Sequence, residues 1–302
     1  MDILMKNYID LGFIKIYYYS IMILIGMIIG IVLVYREFKR HGYEIKMLDN
    51  MVFYTIICGL VGARIWYVLF NLSEYNGNIL EMFAVWHGGL AIHGAIFGGL
   101  LFLFFYCRKH NYHFIKMADI VMPAVLIGQI IGRWGNFFNK EAHGGPVSRA
   151  FLDKLFIPDF IIDGMYIKGQ YYHPTFLYES VFNLLILVFI LFIRRNKKIK
   201  EGMVFSIYLM GYGILRFFVE SLRTDSLMLG SIRVAQLISV LFFIGGLVLF
   251  IVSSHKLDYY NKQVIDDKKE IEKENKEKNK EEKKNNTKGK KTTKKNSKKK
   301  VK

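Results

Sequence analysis

The stretch "MADIVMPAVLIGQII" (residues 117–131) runs without a break into "GRWGNFFNKEAHGG" (132–145). The first part is almost wholly apolar, while the second places an arginine, two asparagines, a lysine and a glutamate between Arg133 and Glu141. Its neighbours decide how such a segment folds. Hydrophobic residues make up 53% of the 302-residue chain, only four prolines interrupt it, and its mean hydropathy is +0.24. Apolar runs recur at about 16–35, 48–70, 86–106, 118–138, 175–193, 202–219 and 233–252. Each is close to the roughly 20 helical residues that cross a bilayer, whereas core helices of soluble proteins alternate shorter apolar stretches with polar stripes. The expected fold is an all-α polytopic membrane protein of seven transmembrane helices. The first run is long and lacks a small-residue cleavage site, so it reads as a retained helix rather than a signal peptide.

Lysine and arginine in the short loops set the orientation. "REFKRHGYEIK" (36–46), "CRKHNYHFIK" (107–116) and "RRNKKIK" (194–200) are dense in positive charge. On the other side, "NLSEYNGNILEMFAV" (71–85) has no basic residue, and 139–174 carries four, thinly spread. The expected topology has the N-terminus out, the C-terminus in and the 132–145 segment at the outer face.

The organisation expected is a seven-span membrane domain over 1–255, with the loop 139–174 outside, and a lysine-rich cytoplasmic tail over 256–302. The tail holds 19 of the 42 basic and 9 of the 25 acidic residues, so it carries most of the net charge of +17. It has too little apolar surface to fold, and its charge suits attraction to anionic lipid heads rather than a nucleic-acid site. Cys58 lies within a span and Cys107 at an inner helix end, so no disulfide is expected. No metal-ligand spacing appears.

"GMIIG" (26–30), "GAIFG" (94–98) and "GQIIG" (128–132) are small-xxx-small patterns that let helix backbones approach closely. The polar residues say more, because an ionisable side chain in a span is costly and usually faces a cavity or a partner. Arg64 lies toward the outer end of the second run, His87 and His93 at the outer end of the third, and Arg133, Asn136, Asn139 and Glu141 at the end of the fourth. In "YGILRFFVESLR" (212–223), Tyr212, Arg216, Glu220 and Arg223 fall within about an 80° arc of one helix face. Taken singly, each would be a structural ion pair or an interfacial anchor. Scattered pairs would not all choose one leaflet, so one outward-facing polar cavity is the expectation.

These segments resemble the prolipoprotein diacylglyceryl transferases of bacterial membranes. Gly132, Arg133, Gly135, Asn136, Phe137, Asn139, Glu141 and Gly144 match that family's GR-x-GN-F-x-N-x-E-x-x-G signature. "GGLAIHG" (88–94) is similar to its GG-x-x-x-HG element, with His93 as the histidine and Ala95 a departure from the glycine that often follows. "HPTFLYE" (173–179) resembles its HP-T-x-LYE segment, 212–223 its YG-x-x-RF-x-x-E-x-x-R stripe, and "YYSIMILIG" (18–26) its first-span tyrosine segment, with Tyr19 as the tyrosine. The resemblance spans about 12–252.

The resemblance implies transfer of a diacylglyceryl group from phosphatidylglycerol to the lipobox cysteine thiol of an exported prolipoprotein in the bacterial inner membrane, with release of glycerol phosphate. No metal or organic cofactor is needed for this displacement. A thiol with an unperturbed pKa near 8.5 calls for a base or a positive field, and the departing phosphate for fixed guanidinium forks. Arg133 and Arg216 are the expected phosphate clamp and His93 the candidate base, with orientation of the lipid as its alternative role. Asn136, Asn139 and Tyr19 are expected to hold ester carbonyls or glycerol, and Glu141 and Glu220 to orient the arginines. Gly144 is expected to matter as backbone, and Tyr212, Arg223 and Arg64 complete the candidate binding set. The competing class is a transporter of a small anionic solute; against it, the halves show no internal repeat and the inner half of the spans carries no charge pathway.

Overall fold

The computed structural model describes residues 7–12, 15–75 and 79–266. Residues 267–302, which hold most of the expected tail, lie outside the described residues, as does the side chain of His87. The chain divides into two units, Met1–Tyr260 and Asn261–Lys302.

Seven helices of the first unit are long and apolar enough to cross a membrane: α1 (Tyr18–Arg40), α2 (Ile45–Phe70), α4 (Ile92–Lys109), α5 (Phe114–Asn139), α8 (Thr175–Ile193), α9 (Met203–Leu222) and α10 (Val234–Lys256). Large apolar side chains such as Ile28, Phe53, Phe105, Phe189 and Leu241 remain exposed along them. In water that surface would aggregate; in hydrocarbon it is the solvated face, and the helix satisfies its own backbone polar groups. The chain is a polytopic membrane protein. Its third apolar run is shorter than expected. The short helix α3 (Ile79–Met82) precedes it, and Gly88 and Gly89, with φ of +84° and +70°, break it after a single 3-10 turn (Val85–His87), so α4 starts at Ile92.

Helix pairing follows the glycines. A side chain on Gly26 would meet Gly128 of α5 at 3.4 Å, and one on Gly30 would meet Ala124 at 3.1 Å, so α1 lies against α5. Gly62 of α2 faces Gly94 and Gly98 of α4 with no room for a Cβ. The α2–α4 pair joins α1 and α5 in a buried cluster that includes Phe38, Leu48, Leu103 and Met117. A second cluster, with Leu126, Leu187, Ile190 and Val204, ties α5 to α8 and α9. An apolar cleft of about 370 Å³ opens between α1, α2, α4 and α5, with Gly26, Gly30 and Gly128 in its wall.

The two ends of the bundle differ. At the basic end, the buried Glu37 takes Arg40 at 2.7 Å and Arg195 at 3.1 Å, and the fully buried Tyr260 donates its hydroxyl to the same carboxylate at 3.1 Å. Asp119 of α5 lies within the apolar run 118–138, so the basic half of the spans is not free of ionisable side chains as the sequence suggested; fully buried, it accepts the backbone N–H groups of Gly202 and Phe205 at 2.6 and 2.7 Å. It thereby caps α9, whose own N-cap Gly202 has no side chain to do so, and fixes α9 axially against α5. At the other end, residues 146–172 fold over the helix tips. Strands β1 (Pro146–Val147), β2 (Tyr166–Ile167) and β3 (Gln170–Tyr172) form one small sheet in the order β1-β3-β2. With α6 (Arg149–Lys154) and α7 (Asp159–Gly164), they enclose a cluster in which Leu152, Ile161 and Ile162 pack on Phe137 and Phe176 of the spans.

Candidate active site

Residues 132–145 form the last two turns of α5 and its exit. Lys140 takes a left-handed conformation, with φ +54°, as C-cap. The Glu141 N–H donates back to the Asn136 carbonyl at 3.1 Å. Glu141 Oε1 then accepts the side-chain amides of both Asn136 and Asn139, each at 3.1 Å. The motif's glycines have steric reasons. Gly135 lies under the ring of Tyr19, so a Cβ there would overlap it, and this contact places Tyr19 against the motif. The Gly144 N–H donates to the His173 carbonyl at 3.0 Å, the Gly145 N–H to the Leu222 carbonyl at 2.9 Å, and Gly144 bridges Arg223. One short backbone crossing thus holds the end of α5, the start of α8 and the end of α9 together.

Those three helices carry a chain of four charges. Glu179, in the first turns of α8 and only 1% exposed, takes Arg133 of α5 on Oε2 at 2.5 Å and Arg216 of α9 on Oε1 at 2.9 Å. Arg216 also reaches Glu220 Oε2, one turn along its own helix, at 2.6 Å. The carboxylates are buried, whereas the guanidinium side chains keep 22% (Arg133) and 17% (Arg216) of their surface open. Buried charges survive in a span only as compensated sets, and this set sums to zero. Asn136 Oδ1 lies 3.5 Å from Arg133, and Arg233, just before α10, donates to the Glu220 carbonyl at 2.8 Å. Tyr212, one turn inward of Arg216, stacks on Tyr208, which accepts from Gln129 at 3.0 Å.

The structure therefore joins Arg133, Arg216, Glu220 and Asn136 in one cluster, and Asn139 joins through Glu141. It redistributes the others. Glu141 is bonded to asparagines rather than to an arginine, and the residue shared by both arginines is Glu179. Arg223 is not on the helical stripe: α9 ends at Leu222, and Arg223 turns away in extended backbone to grip Asp225 at 2.9 and 2.7 Å. Those bonds hold the Asp225 carboxyl below its usual range. Arg64 is buried and spent on a loop. Its nitrogens donate to the carbonyls of Glu81 (2.7 Å), Met82 (2.9 Å), Gly88 (2.6 Å) and Gly89 (3.0 Å). It fastens the "HGG" turn to α2, and so sets where α4 begins. His93, the second residue of α4, is exposed with its ring 6.4 Å from that of Trp66. It rides on the α2–α4 pair, and among the described residues it has no bond to the arginine cluster.

The family described as Prolipoprotein diacylglyceryl transferase matches residues 6–252. A phosphatidylglycerol–prolipoprotein diacylglyceryl transferase of Staphylococcus haemolyticus is 49% identical over 251 residues, covering 81% of this chain and 88% of the relative. Proteins of the same name from Halalkalibacterium halodurans (44% identical, 81% of this chain and 85% of the relative) and Staphylococcus aureus (46%, 81% and 89%) agree. The chain therefore belongs to the prolipoprotein diacylglyceryl transferase family.

Proposed function

We propose that this enzyme transfers the diacylglyceryl group of phosphatidylglycerol to the lipobox cysteine of an exported prolipoprotein, from the outer side of the bacterial cytoplasmic membrane. The observation that carries the reading is the arginine pair, Arg133 and Arg216, held on α5 and α9 by one shared carboxylate with part of each side chain open. In the reaction a carbon–sulfur bond forms at the glycerol carbon and the carbon–oxygen bond to phosphate breaks. The thiol proton goes to a base and the phosphate leaves as glycerol phosphate. Charge therefore grows on the phosphate oxygens as the bond breaks, where fixed guanidinium donors in a water-poor site stabilise it most.

In this reading His93, carried on α4, takes the thiol proton. Tyr19 and Tyr212 flank the glycerol, while Asn136 and Asn139, closed by Glu141, shape the end of α5 beneath the headgroup. Glu220 orients Arg216, and Gly144 lets the backbone crossing close. The apolar cleft beside Gly128 gives the acyl chains a place to lie. The direct experiment is incubation of purified protein with phosphatidylglycerol and a lipobox peptide. A mass gain of one diacylglyceryl group supports the reading; no gain, together with solute flux in vesicles, overturns it.

The catalytic part is proposed to end with the first unit and the tail to serve no step of the chemistry. Deleting residues 261–302 is expected to leave turnover within about threefold of the full protein, because no residue of the cluster lies beyond Arg233. Turnover of membrane-inserted protein at matched abundance checks this, and near-total loss would reject it.

A further inference from the structure

We infer that Glu179 is a charge-balancing residue whose work is to keep the arginine pair from holding its phosphate product. The inference rests on the clamp reading of Arg133 and Arg216 and deepens it. Two guanidinium groups facing one another in a low-dielectric site would bind a phosphate monoester tightly, and such a product carries more charge than the diester substrate. Tight binding of that product would slow every cycle, since only stabilisation specific to the transition state raises turnover. The structure opposes this directly. Each oxygen of the buried Glu179 carboxylate faces a different arginine, at 2.5 and 2.9 Å, and Glu220 takes a further donor of Arg216 at 2.6 Å. The set of four is itself neutral, with Arg233 at the Glu220 carbonyl and the Arg223–Asp225 pair beside it, so an arriving phosphate meets far less positive charge than two bare guanidinium groups would offer. It gains only the aimed N–H groups that the carboxylates leave open.

Glu179 is built for this more than for stability. A buried pair or triad of ions contributes little net stability over apolar replacements. The geometry instead gives one carboxylate to two arginines on two different helices, which holds the forks at a fixed separation while subtracting one charge from both.

The test is inhibition of the full-length enzyme by glycerol 1-phosphate and by inorganic phosphate, measured beside turnover with phosphatidylglycerol and a lipobox peptide. Glu179→Gln is expected to turn over more slowly yet be inhibited at concentrations lower by on the order of tenfold, because a negative charge in contact with both arginines is gone. Glu179→Asp keeps the charge and is expected to show inhibition close to the native value. Glu220→Gln frees Arg216 alone and should tighten inhibition by a smaller factor. A merely structural glutamate predicts the opposite sign, with loosened arginines and weaker inhibition. Unchanged or weaker inhibition in folded Glu179→Gln overturns the inference, and if that variant does not fold, the same result in Glu220→Gln does so. Arg133→Gln in the native background separates the two readings. If it leaves phosphate inhibition unchanged, the clamp itself fails. If it weakens inhibition while Glu179→Gln does not tighten it, only the present inference falls.

Discussion

Arg133→Gln is expected to lose on the order of 10²–10³ or more in turnover, the cost of removing an aimed donor from developing charge, and Arg133→Lys to lose most of its rate as well. Lysine keeps the charge but presents a compact ammonium in place of a planar fork. Arg133 has to serve Glu179 on one side, at 2.5 Å, and the substrate on the other, and only the fork has donors for both. The competing account is that Arg133 exists to neutralise a carboxylate. Its partner for that purpose is Glu179 rather than Glu141, since Glu141 is occupied by the two asparagine amides. The decisive set is therefore Arg133→Lys, Arg133→Gln and the exchanged pair Arg133→Glu/Glu179→Arg at matched expression. Near-normal turnover in the lysine protein, or recovery in the exchanged pair, would reject the clamp. The exchange Arg133→Glu/Glu141→Arg serves as a control in which no recovery is expected, because Glu141 is bonded to Asn136 and Asn139.

The parts of this site that were legible in the sequence are those written in local spacing. The four-residue step from Arg216 to Glu220 is an ion pair one helical turn long, and both residues fall where the pattern puts them. The apolar runs are legible for the same reason, since hydrocarbon demands continuous helices of set length. Contacts across helices were not. Glu179 stands in the quoted "HPTFLYE" segment and is an ionisable residue at the edge of a span, which is a signal in itself. Nothing in its own neighbourhood shows that arginines 46 positions before it and 37 after it, by the numbering, converge on its two oxygens. Arg64 shows the same limit: its place near a span end is legible, but only the course of the loop 81–89 brings to it the four carbonyls it holds. Arg223 illustrates how boundaries mislead. It keeps the angular position of the stripe on paper, but the helix stops one residue short of it.

Gly144→Ala is expected to lose about 100-fold or more in turnover while Gly145→Ala, one residue on, stays near the native rate. A Cβ on Gly144 would lie 2.6 Å from the Cβ of His173 and 3.0 Å from the carbonyl oxygen of Leu222. Neither neighbour is free to give way. The Gly144 N–H is bonded to His173, the His173 N–H returns to Gly145 at 3.0 Å, and the Gly145 N–H holds the Leu222 carbonyl. The added methyl must therefore push the start of α8 and the end of α9 away from the exit of α5. Overpacking of this kind costs about 1–3 kcal/mol in stability, which the remaining contacts of the bundle absorb. Activity has no such reserve. Arg133, Glu179 and Arg216 come from those three helices, and a displacement of roughly 1 Å between reacting groups costs about 10²-fold. At Gly145 a Cβ would meet nothing within 4 Å, although that residue too is bonded to His173 and Leu222. The comparison thus separates loss of space from loss of a flexible residue. Thermal unfolding and turnover of the two alanine proteins check it together. Equal loss in both would point to chain flexibility as the requirement, and full activity in Gly144→Ala would show that the crossing does not set the distance between the arginines.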